Sequence, residues 1–155
     1  MKHKIDTLSA VAFFLQEPAA EDRITPPVEK QEEILRERAE KLGLRLLDSP
    51  ILGARSSWAP GRRGFHDLIS DVEAGRKNAI LVWDLRQLAA NATDATSLLW
   101  LVKLLQLKTV YTHDDVLRNT RGKRLDVMLR IAAAGCLDRV PFEKLVTDFA
   151  DDLAG

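Results

Sequence analysis

The sequence predicts an α/β fold, a mostly parallel sheet of four to five strands with helices on both faces. Three observations carry that expectation. Short apolar runs alternate with longer stretches whose apolar residues recur at helical spacing. The runs are continuously apolar rather than alternating, as befits strands covered on both faces. Ala79 to Asn91 reads as a buried strand that turns directly into a helix, the place where an α/β domain usually keeps its chemistry.

Taken in order, Leu8 to Leu15 is the first strand, and the proline-bearing segment Gln16 to Pro27 is a loop. Thr25 followed by Pro26 and Pro27 signals a helix start, because a proline in the first turn gives up a backbone donor that has no partner there. Ile34, Leu35, Ala39 and Leu42 continue that helix and Gly43 closes it. Leu44 to Leu47 is expected as a short second strand. A loop rich in Gly, Ser, Pro and Arg runs from Asp48 to Arg63, and Phe65, Leu68, Ile69 and Val72 mark a helical face ending at Gly75. Ala79 to Asp84 is the third strand. Asn91 or Thr93 caps a helix whose Leu98, Leu99, Leu101, Val102, Leu104 and Leu105 are too dense for a surface element, so part of it is expected against the sheet or a partner. Thr109 to Thr112 is the fourth strand, and Leu125 to Val140 is a helix stopped by Pro141. The last helix shows Phe142, Leu145, Val146, Phe149 and Leu153 on one side. Residues 1–140 are thus expected as one α/β domain and 141–155 as an amphipathic helix, with no separate DNA-binding domain.

Composition narrows the functional classes. The 155 residues are 46% apolar and 30% charged, enough for one proper core. Lys plus Arg and Asp plus Glu each number 23, so any nucleic-acid contact would come from a local patch rather than a global basic excess. The lone Cys136 excludes an internal disulfide and a cysteine zinc cluster. The apolar run from Ala10 to Leu15 is too short for a signal peptide core or a membrane span, so a reduced, cytoplasmic protein without membrane attachment is expected. Gln16 to Pro27 contains no glycine, which speaks against a nucleotide cofactor held in a phosphate loop. His3, His66 and His113 lack metal-ligand spacing and read as solvated surface residues. Glu17 and Asp84 could meet at the sheet's carboxyl edge as metal ligands, but Arg86 stands where a second acidic residue would be needed, and no metal or other cofactor is expected. Trp83 is assigned to the core, Trp58 to a loop, and Trp100 to core or interface.

Several local motifs then fall in one order. Ala10-Val11-Ala12-Phe13-Phe14-Leu15-Gln16-Glu17 opens the sheet, Arg62-Arg63-Gly64-Phe65 starts the second helix, and Val82-Trp83-Asp84-Leu85-Arg86-Gln87-Leu88-Ala89-Ala90 joins the third strand to a helix. Thr120-Arg121-Gly122-Lys123 precedes the long helix. In this order they resemble the N-terminal catalytic domain of the serine recombinases, the resolvase and invertase family, from about Ala10 to Val140. The corresponding family motifs are Ala-Val-Ala-Tyr-x-Arg-x-Ser, an Arg-Pro-Gly-Phe-like helix start, and Val-x-x-Leu-Asp-Arg-Leu-x-Arg.

The resemblance implies a nucleophilic serine that attacks a DNA phosphate and arginines that stabilise the charge developing on it. Here the serine position carries Glu17, the partner arginine falls on Leu15, the Asp-Arg pair falls on Arg86 and Gln87, and the trailing arginine falls on Ala90. Arg62 stands at the family's loop arginine, and Arg139 is a possible remnant of the arginine on the long helix. Losing one oxyanion donor typically costs ~2.7 to 4 kcal/mol of transition-state stabilisation, and several groups are missing together. The first expectation is therefore an inactive recombinase-like domain acting through homodimerisation on the Leu125 to Val140 helix, or through another protein partner, in a DNA recombination or mobile-element context. A second is an active recombinase or nicking enzyme with a displaced nucleophile, for which Ser57, Arg62 and Arg139 are the residues to suspect. A third is a non-catalytic DNA-binding protein using Arg62, Arg63, Arg118, Arg121, Lys123, Arg124 and Arg130.

Overall fold

Six successive residues that can all tolerate burial, Val11 to Gln16, form β1, and all six are buried. The computed structural model describes residues 10–53 and 63–135. Along them β1 is followed by α1 (Val28–Leu42), β2 (Ile51–Gly53), α2 (Arg63–Glu73), β3 (Ala79–Leu81) and the single turn α3 (Leu85–Leu88). Then come α4 (Ala92–Lys103), β4 (Thr109–Tyr111), β5 (Val116–Arg118) and α5 (Arg124–Ala134).

The sheet order is β2-β1-β3-β4-β5. β1 pairs in parallel with β2 and with β3, and β3 with β4, while β4 and β5 form an antiparallel hairpin. The expectation of a mostly parallel sheet with helices on both faces holds, because successive side chains of each strand point to opposite faces. Val11, Phe13 and Leu15 face Leu35 and Ala39 of α1, with Ala79, Leu81 and Tyr111 beside them. Ala12, Phe14, Ile80 and Val110 face the other way, against α2, α4 and α5 through Leu68, Leu98, Val102 and Ile131. The dense apolar residues divide: Leu98, Leu99, Leu101 and Val102 of α4 are buried, whereas Trp100 is exposed, as are Leu104 and Leu105, which lie beyond the end of the helix rather than in it.

Local signals set most of the boundaries. Gly43 adopts φ 75° beyond α1, and the amides of Gly43 and Leu44 bond back to the carbonyls of Glu40 and Ala39. Asn91 is the cap of α4, its side chain accepting from the amide of Asp94 at 2.9 Å.

The second strand is displaced from the expected place. Leu44 to Leu47 forms no ladder, and β2 lies at Ile51–Gly53, in register with Phe14 to Gln16. Leu44 and Leu46 are half-buried against the α1-side core while Arg45 and Leu47 are exposed. The segment thus buries one side as a strand does, but its route back from the end of α1 reaches the sheet only four residues later. The long helix is described to Ala134, with Gly135 as its cap. Val140, the helix expected after Pro141, and Ser57, Trp58, Arg62, Cys136 and Arg139 lie outside the described residues.

One close approach fixes how the last helix meets the sheet layer. A Cβ added to Gly135 would come within 2.4 Å of the Cβ of Ala95 and 3.1 Å of the Asn91 carbonyl, so the end of α5 can lie on the start of α4 only without a side chain. Gly135→Ala should lower stability by about 1–3 kcal/mol through this overpacking. Gly122→Ala, whose Cβ would meet nothing within 4 Å, should change it far less. Urea denaturation of the two variants beside the parent checks the contrast, and equal effects would mean that this helix contact is not tightly packed.

Candidate functional site

A parallel sheet in the order 2-1-3-4-5 reverses its direction of strand addition between β1 and β3, and the crevice at their carboxyl ends is where α/β domains place ligands. Glu17 follows β1 and Asp84 follows β3, so both stand at this edge. Between them the floor consists of amides. Gln31, on the core-facing stripe of α1, donates through Nε2 to the carbonyl of Gln16 at 2.9 Å and to that of Pro26 at 2.8 Å. Gln87, in α3, donates through Nε2 to the same Gln16 carbonyl at 3.3 Å and to Gln31 Oε1 at 3.5 Å. All three glutamines are buried.

The bonding settles which way the Gln87 amide faces. Its nitrogen must lie toward Gln16 O and Gln31 Oε1, since exchanging its two ends would set oxygen against oxygen. Gln87 Oε1 is then turned away from both acceptors, and it is buried without a hydrogen-bond partner. The Gln16 side chain lies so close over β2 that a Cβ on Gly53 would fall 2.2 Å from Gln16 Oε1.

Two openings flank this floor. The larger, of about 520 Å³, is lined by Glu17, Pro18, Thr25, Pro27, Val28, Glu29, Leu52 and Gly53. The smaller, of about 210 Å³, is lined by Asp22, Thr25, Asp84, Arg86, Gln87, Ala90 and Ala134. Asp22 Oδ1 accepts from the amides of Ile24 at 2.9 Å and Thr25 at 3.0 Å. The Thr25 side chain foremost, and then the amides of Thr25 and Ile24, hold the Asp22 carboxyl below its ordinary value of 3.8, with the charge of Arg86 acting in the same direction. Asp84 caps α3, its Oδ1 accepting from the Arg86 amide at 2.9 Å and lying 3.6 Å from Arg86 Nε.

The residues singled out in the sequence meet only in part. Leu15 is in the core under α1 and reaches neither opening. Glu17 lines the larger opening, while Arg86, Gln87 and Ala90 line the smaller. Arg63 begins α2. Of the basic group after β4, Arg118, Arg121 and Lys123 are exposed. Arg124 donates to Asn119 Oδ1 at 2.7 Å, and Arg130 is shared between Asp115 at 3.0 Å and Asp126 at 3.2 Å. His113 is no solvated surface residue. It stacks on Trp83 with ring centroids 4.0 Å apart, and its Nδ1 lies 2.6 Å from the Trp83 carbonyl, which also leaves Trp83 half-buried rather than in the core. Among the described residues no three His, Cys, Asp or Glu side chains are placed to hold a metal ion.

The sequence reading overlooked Gln16, Gln31 and Asp22. Gln31 carried a readable signal: it stands four residues before Leu35 and eight before Ala39, on the buried stripe of α1.

The family comparison agrees with the motif order. The family described as Resolvase, N terminal domain, matches residues 21–135, about three quarters of the chain. The chain belongs to this family. Its fold is also similar to the crystal structure of the N-terminal catalytic domain of TP901-1 integrase, with a TM-score of 0.59 and 18% identity over 94% of this chain and 98% of that one. No curated protein matches the sequence. The family match begins at residue 21, so β1 and Glu17 fall before it. Among the described residues of this resolvase-type domain no helix is long and apolar enough to cross a membrane.

The amide floor makes an asymmetric prediction. Gln31→Leu removes the bond to the half-buried Pro26 carbonyl and the shorter bond to the buried Gln16 carbonyl, which should destabilise the fold by roughly 1–3 kcal/mol. Gln87→Leu removes two long bonds together with an oxygen that already lacks a partner, and stability should stay within about 1 kcal/mol of the parent. Chemical denaturation of both variants checks this, and a larger loss for Gln87→Leu would refute the stated amide orientation.

Proposed function

We propose that this resolvase-type domain performs no strand cleavage and acts by associating with a second copy of itself, or with another protein, in a DNA-recombination setting. The observation that carries the reading is the content of the crevice. Where the resemblance expects a serine and arginines around a phosphate, the crevice holds Glu17, the neutral amide of Gln87 and the methyl of Ala90, with Leu15 withdrawn into the core. A carboxylate repels a phosphoryl group, and among the described residues lining the two openings Arg86 is the one cation that could meet transition-state charge.

The association half of the reading rests on α5. Leu125, Leu129 and Ala133 recur every four residues along one exposed face, and the two leucines remain 42% and 39% exposed. Side chains at this spacing lie above one another on a helix and form a seam that a second helix can cover. The basic group offers less support for DNA binding as the main act, because carboxylates already occupy Arg130 and Asn119 engages Arg124. Arg118, Arg121, Lys123 and Arg130 are all exposed.

The decisive experiment joins sedimentation velocity to incubation with a nicked suicide DNA duplex. The expected result is a reversible dimer that leaves no covalent protein–DNA adduct. The double variant Leu125→Asp, Leu129→Asp should sediment as a monomer with an unchanged melting temperature, since neither side chain is in the core. An adduct would establish a displaced nucleophile. A monomeric parent with salt-sensitive DNA affinity, lost in Arg121→Ala, Lys123→Ala, would replace association with DNA binding.

A further inference from the structure

The end of α4 joins apolar exposure to positive charge. Trp100 and Leu104, one helical turn apart, and Leu105 just beyond them are 44%, 57% and 45% exposed. Lys103 lies over the Trp100 ring, its Nζ 5.0 Å from the centroid. Asn119 fastens this end of α4 to the start of α5. Its Nδ2 donates to the carbonyls of Val102 at 3.0 Å and Leu107 at 2.8 Å, and its Oδ1 accepts from Arg124. The turn that carries the exposed Arg118, Arg121 and Lys123 therefore stands at the same end of the domain. Asp126, in the first turn of α5, is already engaged by Arg130 at 3.2 Å.

Leu105 supplies an independent observation. Its φ of 62° lies in the left-handed region, where the chain leaves α4 through bonds from the Gln106 and Leu107 amides to the Leu101 carbonyl. Glycine or asparagine is the usual residue at such a helix end, because a larger side chain is strained there. The turn therefore does not call for a leucine, and a side chain this exposed does not serve the core. An apolar cover over Trp100, Leu104 and Leu105 accounts for it.

The chain contains a segment of the complementary kind. Phe142, Leu145, Val146, Phe149 and Leu153 recur at helical spacing, and Glu143, Asp148, Asp151 and Asp152 stand among them against the single cation Lys144. We propose that this acidic, apolar segment, residues 142–153 of the same chain, docks on the end of α4. Its apolar side chains cover Trp100, Leu104 and Leu105, and its carboxylates face the cations around them. The connection is long enough. Gly135 lies against Ala95 at the start of α4. From there Leu104 is about 14 Å away at the rise of a helix, and residues 136–141 span about 20 Å when extended. Attachment to the same chain also gives the segment a high effective concentration at the patch. A nucleic-acid backbone would meet the cations but set its phosphates against three apolar side chains. The proposal uses neither Leu125 nor Leu129, so it stands whether or not α5 forms a dimer.

The test is paramagnetic NMR on the full chain carrying Cys136→Ser and Thr147→Cys, with a nitroxide attached at position 147, off the apolar stripe of the segment. The Trp100 indole N–H and the backbone amides of Lys103, Leu104 and Leu105 should lose most of their intensity. The loss should exceed that at Asn91 and Ala92, beside the segment's point of attachment, and should shrink as salt is raised. Adding Asp148→Asn, Asp151→Asn and Asp152→Asn removes charge from the segment, and Leu104→Ser with Leu105→Gly removes apolar surface from the patch without touching the core. Either set should restore most of the lost intensity. Broadening centred on Asn91 and Ala92 would mean a segment that is tethered but not docked. Broadening seen only when nitroxide-labelled and nitrogen-15-labelled chains are mixed would give the patch to a second copy. Either result, or broadening that neither set of substitutions reduces, overturns the proposal.

Discussion

The carbonyl of Gln16 is the point on which the upper half of the domain is built. It ends a strand buried on both faces, so no solvent reaches it, and a buried carbonyl without a partner costs about 1–3 kcal/mol. Gln31 from α1 and Gln87 from α3 converge on it from 15 and 71 residues away along the chain. Each bond constrains more than itself. Gln31 also holds the Pro26 carbonyl, which ties the proline turn that starts α1 to the strand it covers. Gln87 brings the end of β3 and its single helical turn over the same atom, and the two carboxyl edges become one surface.

Most of the fold was legible because its signals are local. The burial of β1 follows from an unbroken apolar run, the end of α1 from Gly43, and the two-sided sheet from the alternation of strands and helices. The second strand was misread for a physical reason. Leu44 and Leu46 bury one side of an extended segment against α1, and that pattern is the same whether or not a neighbouring strand supplies hydrogen bonds. The pairing is set by register with Phe14 to Gln16, a long-range fact that no four-residue window contains. The hairpin of β4 and β5 is held in a comparable way from outside, by Arg38 of α1 donating to the carbonyls of Thr112 and Asp115.

The site was legible as a set of departures and illegible as an arrangement. Motif order located Glu17, Arg86, Gln87 and Ala90, and all four line the crevice openings. It gave no means of seeing that Gln87 is buried against Gln16 and Gln31, or that Asp22 from the proline loop completes the smaller opening. His113 shows the same limit in the other direction. A scattered histidine has no sequence feature that announces stacking on Trp83, thirty residues upstream, so the ring pair emerges only once β3 and β4 are side by side.

The replacements in the crevice are consistent with one another. An arginine at position 15 would point into the core beneath α1, where a charge is sustained only by a matching partner, and Leu15 fills that space without one. With no positive charge there, a neutral glutamine at 87 can serve as a hydrogen-bond donor to Gln16 and leave the floor uncharged. Its oxygen is the residue of that exchange. Leucine at this position would avoid an unpaired buried acceptor and sacrifice only two long bonds, so stability alone does not account for glutamine there.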